Sequence, residues 1–114
     1  MSTYTAFGLT FDSNIKLPPL LTSEVQIADV RIINGIVNKT GLDTPMIIRP
    51  YSQIAPNELW LHVPDIAWFY VTNGNNIVVE PMAGADMQSV RLFLLGSCMG
   101  AIMYQRNRLV IHGN

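Results

Sequence analysis

Ala67-Trp-Phe-Tyr-Val-Thr72, then Asn73-Gly74, then Asn75-Asn-Ile-Val-Val-Glu80 is the stretch that decides the fold. Two runs rich in β-branched and aromatic residues flank an Asn-Gly pair. That pair suits a two-residue type I′ turn, because both central residues must take positive φ. The stretch therefore predicts a β-hairpin. With Asn73-Gly74 as the loop, Tyr70 faces Ile77 and Trp68 faces Val79 on one side, and Phe69 faces Val78 on the other. Both faces are then apolar in the middle, which calls for a sheet covered on two sides, or covered on one side with an interface on the other.

Downstream, Pro81 and Gly84 end the strand and Asp86 offers a helix N-cap. Residues 87–105 contain neither proline nor strand-like alternation, so they predict one helix, longer than the usual 11 or 12 residues or so. From Leu92 onward this helix is apolar around most of its circumference, as expected of a helix buried between layers. Gly96, Ser97, Gly100 and Ala101 give it a surface that another element can approach closely. Arg108-Leu-Val-Ile-His112 predicts a final strand, which needs a sheet to join.

Upstream, Tyr4–Phe11 predicts a strand ending in the turn Asp12-Ser13-Asn14, and Leu17-Pro18-Pro19-Leu20 an extended connector. Residues 28–33 predict a half-buried strand with Val30 and Ile32 on one face, closed by Asn34-Gly35. Residues 37–57 are loop-like, broken by Gly41, Pro45, Pro50 and Pro56, with 46–49 a short strand at most; 59–63 is strand-like. The expected fold is one α+β domain over 1–114: an antiparallel sheet of about five or six short strands, one long buried C-terminal helix and a final strand.

Hydrophobic residues make up 49% of the chain and charged residues 13%, enough apolar surface to offset chain entropy and few charges to solvate the exterior. Some apolar area is thus left for another domain or subunit. The net charge of −1, with seven scattered basic residues, leaves no nucleic-acid footprint. Cys98 is the single cysteine, so neither an intrachain disulfide nor a Cys-rich zinc site can form. Residues 92–104 are apolar but fall short of the roughly 20 needed to span a bilayer, and residues 1–8 lack a signal-peptide pattern. The expected compartment is the cytoplasm.

The chemistry-bearing residues are isolated. Asn38-Lys39-Thr40 ends like a phosphate-binding loop, but Ile33 and Asn38 occupy the two glycine positions such a loop requires. His62 and His112 have no His, Cys or carboxylate at metal-ligand spacing, and His62 suits a sheet edge or surface. Cys98 suits a core position, and Asp65 and Glu80 lack a partner base. No catalytic, cofactor-binding or metal residues are expected. The candidate interface comprises Trp68, Tyr70, Arg91, Gly96, Gly100, Arg106, Arg108 and His112.

One family resemblance stands beside this reading. Val63-Pro-Asp-Ile-Ala-Trp-Phe-Tyr-Val71, Asn73-Gly74, Ile77-Val-Val-Glu-Pro81, Gly84-Ala-Asp86, Val90-Arg-Leu-Phe-Leu-Leu-Gly96 and Gln105-Arg-Asn-Arg-Leu-Val-Ile-His112 carry it, with Tyr4-Thr-Ala-Phe-Gly-Leu9 in support. Together they resemble the N-terminal region of bacterial HPr kinase-like proteins, a group that includes kinases found beside lasso-peptide biosynthesis genes. In that family the strand ending in His precedes a Gly-rich phosphate loop and an ATP-using serine kinase domain, and this sequence stops at Gly113-Asn114, ahead of any such loop. The resemblance therefore implies a non-catalytic accessory domain that positions a peptide or protein substrate, or mediates assembly, as a homo-oligomer or with a kinase domain in cis or trans. The alternative is a free-standing domain that binds a small molecule or peptide without a kinase partner.

Overall fold

The computed structural model describes residues 9–15 and 29–107 in full, and the backbone alone of 2–6, 21–22 and 108–113. The hairpin is formed by β8 (Ala67–Thr72) and β9 (Asn76–Pro81); seven further strands precede it, and it is the reference for the whole sheet. Asn73 (φ 57°) and Gly74 (φ 63°) both take positive φ, and the Asn75 N–H donates to the Thr72 C=O at 3.2 Å. The expected reversal is present.

The register differs from expectation by one residue. The ladder starts with Thr72 opposite Asn76, so Tyr70 pairs with Val78, Phe69 with Val79 and Trp68 with Glu80. Asn75 is left out of the hairpin because its C=O accepts the Arg31 N–H of the neighbouring strand at 2.9 Å. A one-residue slip exchanges the faces. Ala67, Phe69, Val71, Ile77 and Val79 are consequently all fully buried on one side. Trp68, Tyr70, Val78 and Glu80 lie half-buried on the other, which is a mixed aromatic and charged surface and not a second apolar one.

The other strands are β1 (Ser2–Ala6), β2 (Leu9–Ser13), β3 (Leu21–Thr22), β4 (Val30–Asn34), β5 (Ile47–Ile48), β6 (Ser52–Ala55) and β7 (Glu58–Val63). Their order is β3-β1-β2-β4-β9-β8-β7-β6-β5. The sheet is mixed, which corrects the expected antiparallel arrangement: β2 pairs with β4, and β4 with β9, in parallel. The cause is the path of the chain. After β4 it crosses to the far edge and returns as the antiparallel meander β5 to β9, so that β9 arrives beside β4 pointing the same way.

The strand number also exceeds the expected total of about five or six and a final strand, because Tyr4–Phe11 is divided between β1 and β2, which pair antiparallel from Ala6↔Leu9, and because β6 lies where a loop is expected. The Leu17–Leu20 connector falls outside the described residues.

Asp86 caps the helix as expected, accepting from the Gln88 N–H and the Ser89 Oγ, each at 3.1 Å. The helix runs as α1 (Met87–Phe93), a π-helical turn (Leu94–Cys98) and α2 (Met99–Gly113). Two expectations change here. Arg108–His112 continues α2 and is not a strand, since nothing between Gln105 and Gly113 breaks a helix that is already nucleated. The helix, moreover, is buried on one side alone. Val90, Leu94, Cys98, Met99 and Ile102 press on the sheet and, with Phe11, Val30, Ile32 and the inner face of the hairpin, form the core. Leu92 and Tyr104 are 70% and 62% exposed. No helix among the described residues is long and apolar enough to cross a membrane.

Candidate functional site

A single helix is about 10–12 Å across with its side chains, whereas neighbouring strands lie roughly 4.8 Å apart, so one helix shields two or three strands of this sheet. α2 lies over β8, leaving β5, β6 and β7 beyond its flank. The register carries Ile47, Ile54 and Leu59 onto the helix side, in line with buried Val71. Ser97, Ala101 and Tyr104 of the helix face them across a cleft of about 340 Å³. Ser97 and Ala101 are small, and that is why the cleft stays open instead of closing into core. Its outer wall is β5, which among the described residues pairs with β6 alone and so presents an open edge. Met46 and Ile48 beside it are 72% and 68% exposed. Ile47 thus belongs both to the cleft wall and to the sheet edge, while Ile48 points to the other face of the sheet.

The opposite face of the sheet is crossed by the segment that follows β4. Lys39 forms an ion pair with Glu80, donates to the Val37 C=O at 2.8 Å and stands 4.6 Å from the centre of the Trp68 ring. The Val37 N–H donates to Glu80 at 2.8 Å, and the Trp60 Nε1–H donates to the Asn38 C=O at 2.6 Å. Lys39 foremost, then the Val37 amide, holds the Glu80 carboxyl below the usual carboxylate range. Asn38-Lys39-Thr40 is thereby accounted for as a local turn. Asn38 Oδ1 accepts from the Thr40 N–H and Oγ1 at 2.9 and 2.7 Å.

The predicted interface residues do not meet in one place. Trp68 and Tyr70 lie on the sheet face away from the helix, whereas Gly96 and Gly100 lie on the outer side of the helix, where an added Cβ would meet nothing within 4 Å. The expected close contact at these glycines is absent among the described residues. Arg91 belongs to α1, half-exposed. Arg106 turns inward to donate to the Gly74 C=O at 2.9 Å, so it braces the hairpin turn. The side chains of Arg108 and His112 fall outside the described residues.

His62 is not at a sheet edge, since β7 has β6 and β8 on its two sides. Its ring stacks on Trp68 with centroids 4.7 Å apart, and its Nδ1 is buried without a partner among the described residues. Cys98 is fully buried, and burial pushes its thiol far up, the state of a core residue and not of a nucleophile. Among the described residues no three His, Cys, Asp or Glu side chains come together as metal ligands.

Residues 46–49, expected to be a short strand at most, hold the two-residue β5, but its place at the edge of the sheet carried no signal in the sequence. Sequence reasoning missed Gln105, whose carboxamide carries no pattern in one dimension. Compared with known proteins, the chain matches no family, no curated protein and no solved structure.

Proposed function

We propose that the chain is a non-catalytic module that takes up an extended peptide by strand addition at β5. The observation that carries the reading is that Ile47, 45% exposed, belongs both to the open β5 edge and to the wall of the apolar cleft of about 340 Å³ under α2. In strand addition the main chain supplies affinity through ladder hydrogen bonds, and alternate side chains supply specificity by entering pockets. Here every second residue of the peptide would lie beside Ile47 on the helix side of the sheet and extend the apolar wall of the cleft outward.

The resemblance to HPr kinase-like proteins adds the reading that the peptide is the substrate of a kinase domain, held in cis or trans in a bacterial cytoplasm. A reading frame that continues into a phosphate loop supports that version; a frame without one supports a free-standing binding module with the same cleft.

The test is hydrogen exchange and amide NMR of the full chain titrated with the alternating peptide acetyl-Thr-Val-Thr-Val-Thr-Val-amide. Protection at Ile47 and Ile48 with shifts at Ala101, lost in Ile47→Lys and kept in Ile36→Lys on the other face, is the expected result. Saturation elsewhere on the surface, with β5 unchanged, overturns the reading.

A further inference from the structure

A second cavity lies on the face of the sheet away from α2 and does not depend on the cleft for its interpretation. The segment 36–43 arches over β7, β8 and β9 and encloses about 270 Å³. The arch is fastened on both sides. The Val37 N–H is held by Glu80 at 2.8 Å and the Leu42 N–H by Gln53 Oε1 at 2.8 Å. Gly41 (φ 106°) packs so tightly that an added Cβ would fall 2.3 Å from that same Gln53 oxygen. The cavity is thus a built space under a pinned strap.

Its walls have one chemistry. Trp60 and Tyr70 offer adjacent aromatic surface, Val78 lies beside Tyr70 on the next strand, and Glu58 and Asp43 complete the lining. Neither carboxylate has an ion-pair partner among the described residues, and no lining residue carries positive charge. Tyr70 donates its hydroxyl to Glu58 Oε2 at 2.5 Å. Burial foremost, then Glu58, raises the Tyr70 pKa, so the phenol stays protonated as a donor and aims the carboxylate.

Beside the cavity the protein shows what such walls select. Lys39 places its ammonium between the Glu80 carboxylate and the Trp68 ring. The cavity repeats the carboxylate and the aromatic rings without the cation.

We propose that this cavity binds an organic cation, the ammonium or guanidinium end of a small ligand or of a peptide side chain, between the Trp60 and Tyr70 rings and the Glu58 carboxylate. A cation desolvated against aromatic faces gains from their negative quadrupole as well as from the anion. The volume falls just under the roughly 300 Å³ at which drug-sized pockets begin, which suits a cationic head group and not a large ligand.

The experiment follows the Trp60 indole N–H by NMR while the full chain is titrated with choline against its uncharged isostere 3,3-dimethylbutan-1-ol. Butylammonium and methylguanidinium form a second small-molecule pair, and acetyl-Gly-Lys-Gly-amide and acetyl-Gly-Arg-Gly-amide form the peptide arm. The cations are expected to shift the indole saturably and to bind about tenfold or more tighter than the neutral isostere, with affinity falling as salt rises. Glu58→Gln, which keeps an acceptor for Tyr70, should remove most of that preference. Asp43→Asn, an exposed position that cannot unsettle the core, should reduce it by about two- to threefold. Tighter binding of the peptide arm identifies a protein side chain as the source, and tighter binding of the free amines a small molecule. Equal binding of charged and neutral probes, indifference to both substitutions, or no indole shift at tens of millimolar cation overturns the proposal.

Discussion

Gln105 clamps the hairpin turn at Gly74: its Oε1 accepts the Gly74 N–H at 2.8 Å, and its Nε2 donates to the Val71 C=O at 3.3 Å. Gln105 is 3% exposed, so this carboxamide is a polar group placed inside the interface between α2 and the sheet, and it is satisfied there. Gln105→Leu keeps similar bulk but leaves the buried Gly74 N–H without an acceptor. The expected cost is about 1–3 kcal/mol in urea unfolding. A variant as stable as the parent would mean that water replaces the amide.

Gly74 itself carries two constraints. Its φ of 63° is one that residues with a Cβ rarely adopt, and an added Cβ would lie 2.7 Å from Arg106 Cγ and 3.3 Å from the Arg106 backbone N. Gly84 (φ 76°) has the first constraint alone, because nothing stands within 4 Å of it. Gly84→Ala is therefore expected to cost about 1–2 kcal/mol, and Gly74→Ala more, since it also pushes α2 off the turn. Thermal unfolding of the two variants side by side checks the order, and equal losses would show that Arg106 gives way freely.

Gly100 behaves in the opposite sense. Its small size suggests a close neighbour, yet among the described residues no atom lies within 4 Å of an added Cβ, and its backbone is helical. Gly100→Ala should then stabilise the chain by about 1 kcal/mol through helix propensity alone. A loss of stability would place an unseen element, such as a second copy, against this face.

What was legible in the sequence was local. The positive-φ turn at Asn73-Gly74, the cap at Asp86 and the burial of Cys98 each follow from one residue's own chemistry and are present as expected. The register was not legible, because Asn75 leaves the ladder for Arg31, a strand more than forty positions away in sequence. Strand direction was hidden for the same reason. Nothing in Val30–Asn34 says that its partner Asn76–Pro81 runs parallel to it; the intervening meander decides that. Of the candidate interface, Trp68 and Tyr70 lie on the sheet face away from the helix, and their neighbours Trp60, Glu58 and Lys39 are brought to them by folding alone.

The strap over the aromatic face carries a pH dependence. Lys39, then the Val37 amide, depresses the Glu80 pKa in the folded state, so the stabilisation is present above the unfolded value and is lost as pH falls through the folded one. A carboxyl titration by NMR should place Glu80 below the ordinary glutamate value of about 4.3. The protection of the Val37 amide relative to its intrinsic exchange rate should fall once pH drops through that lowered midpoint. Lys39→Met should move the midpoint upward. An unchanged midpoint in that variant would assign the shift to the backbone amide alone.

Association is expected at β5. The hairpin β8–β9 offers no open strand edge, because it lies in the interior of the sheet with β4 and β7 on either side, and the Arg108–His112 segment is helical and offers none either. β5 is a sheet edge with fully described side chains, and Met46, Ile47 and Ile48 on it are 72%, 45% and 68% exposed. An apolar unpaired edge recruits another strand, and in a two-fold pairing β5 of one copy would meet β5 of its mate antiparallel. Ile48 points to the face away from α2, opposite Gln53, so a charge there leaves both the cleft and the core untouched while it opposes edge pairing. Ile48→Lys is therefore expected to keep the melting temperature of the parent and to abolish its concentration-dependent sedimentation at high micromolar protein. A parent chain that sediments as a monomer over the whole range would show that the short β5 edge, two residues long, is too small to pair without a longer peptide strand laid against it.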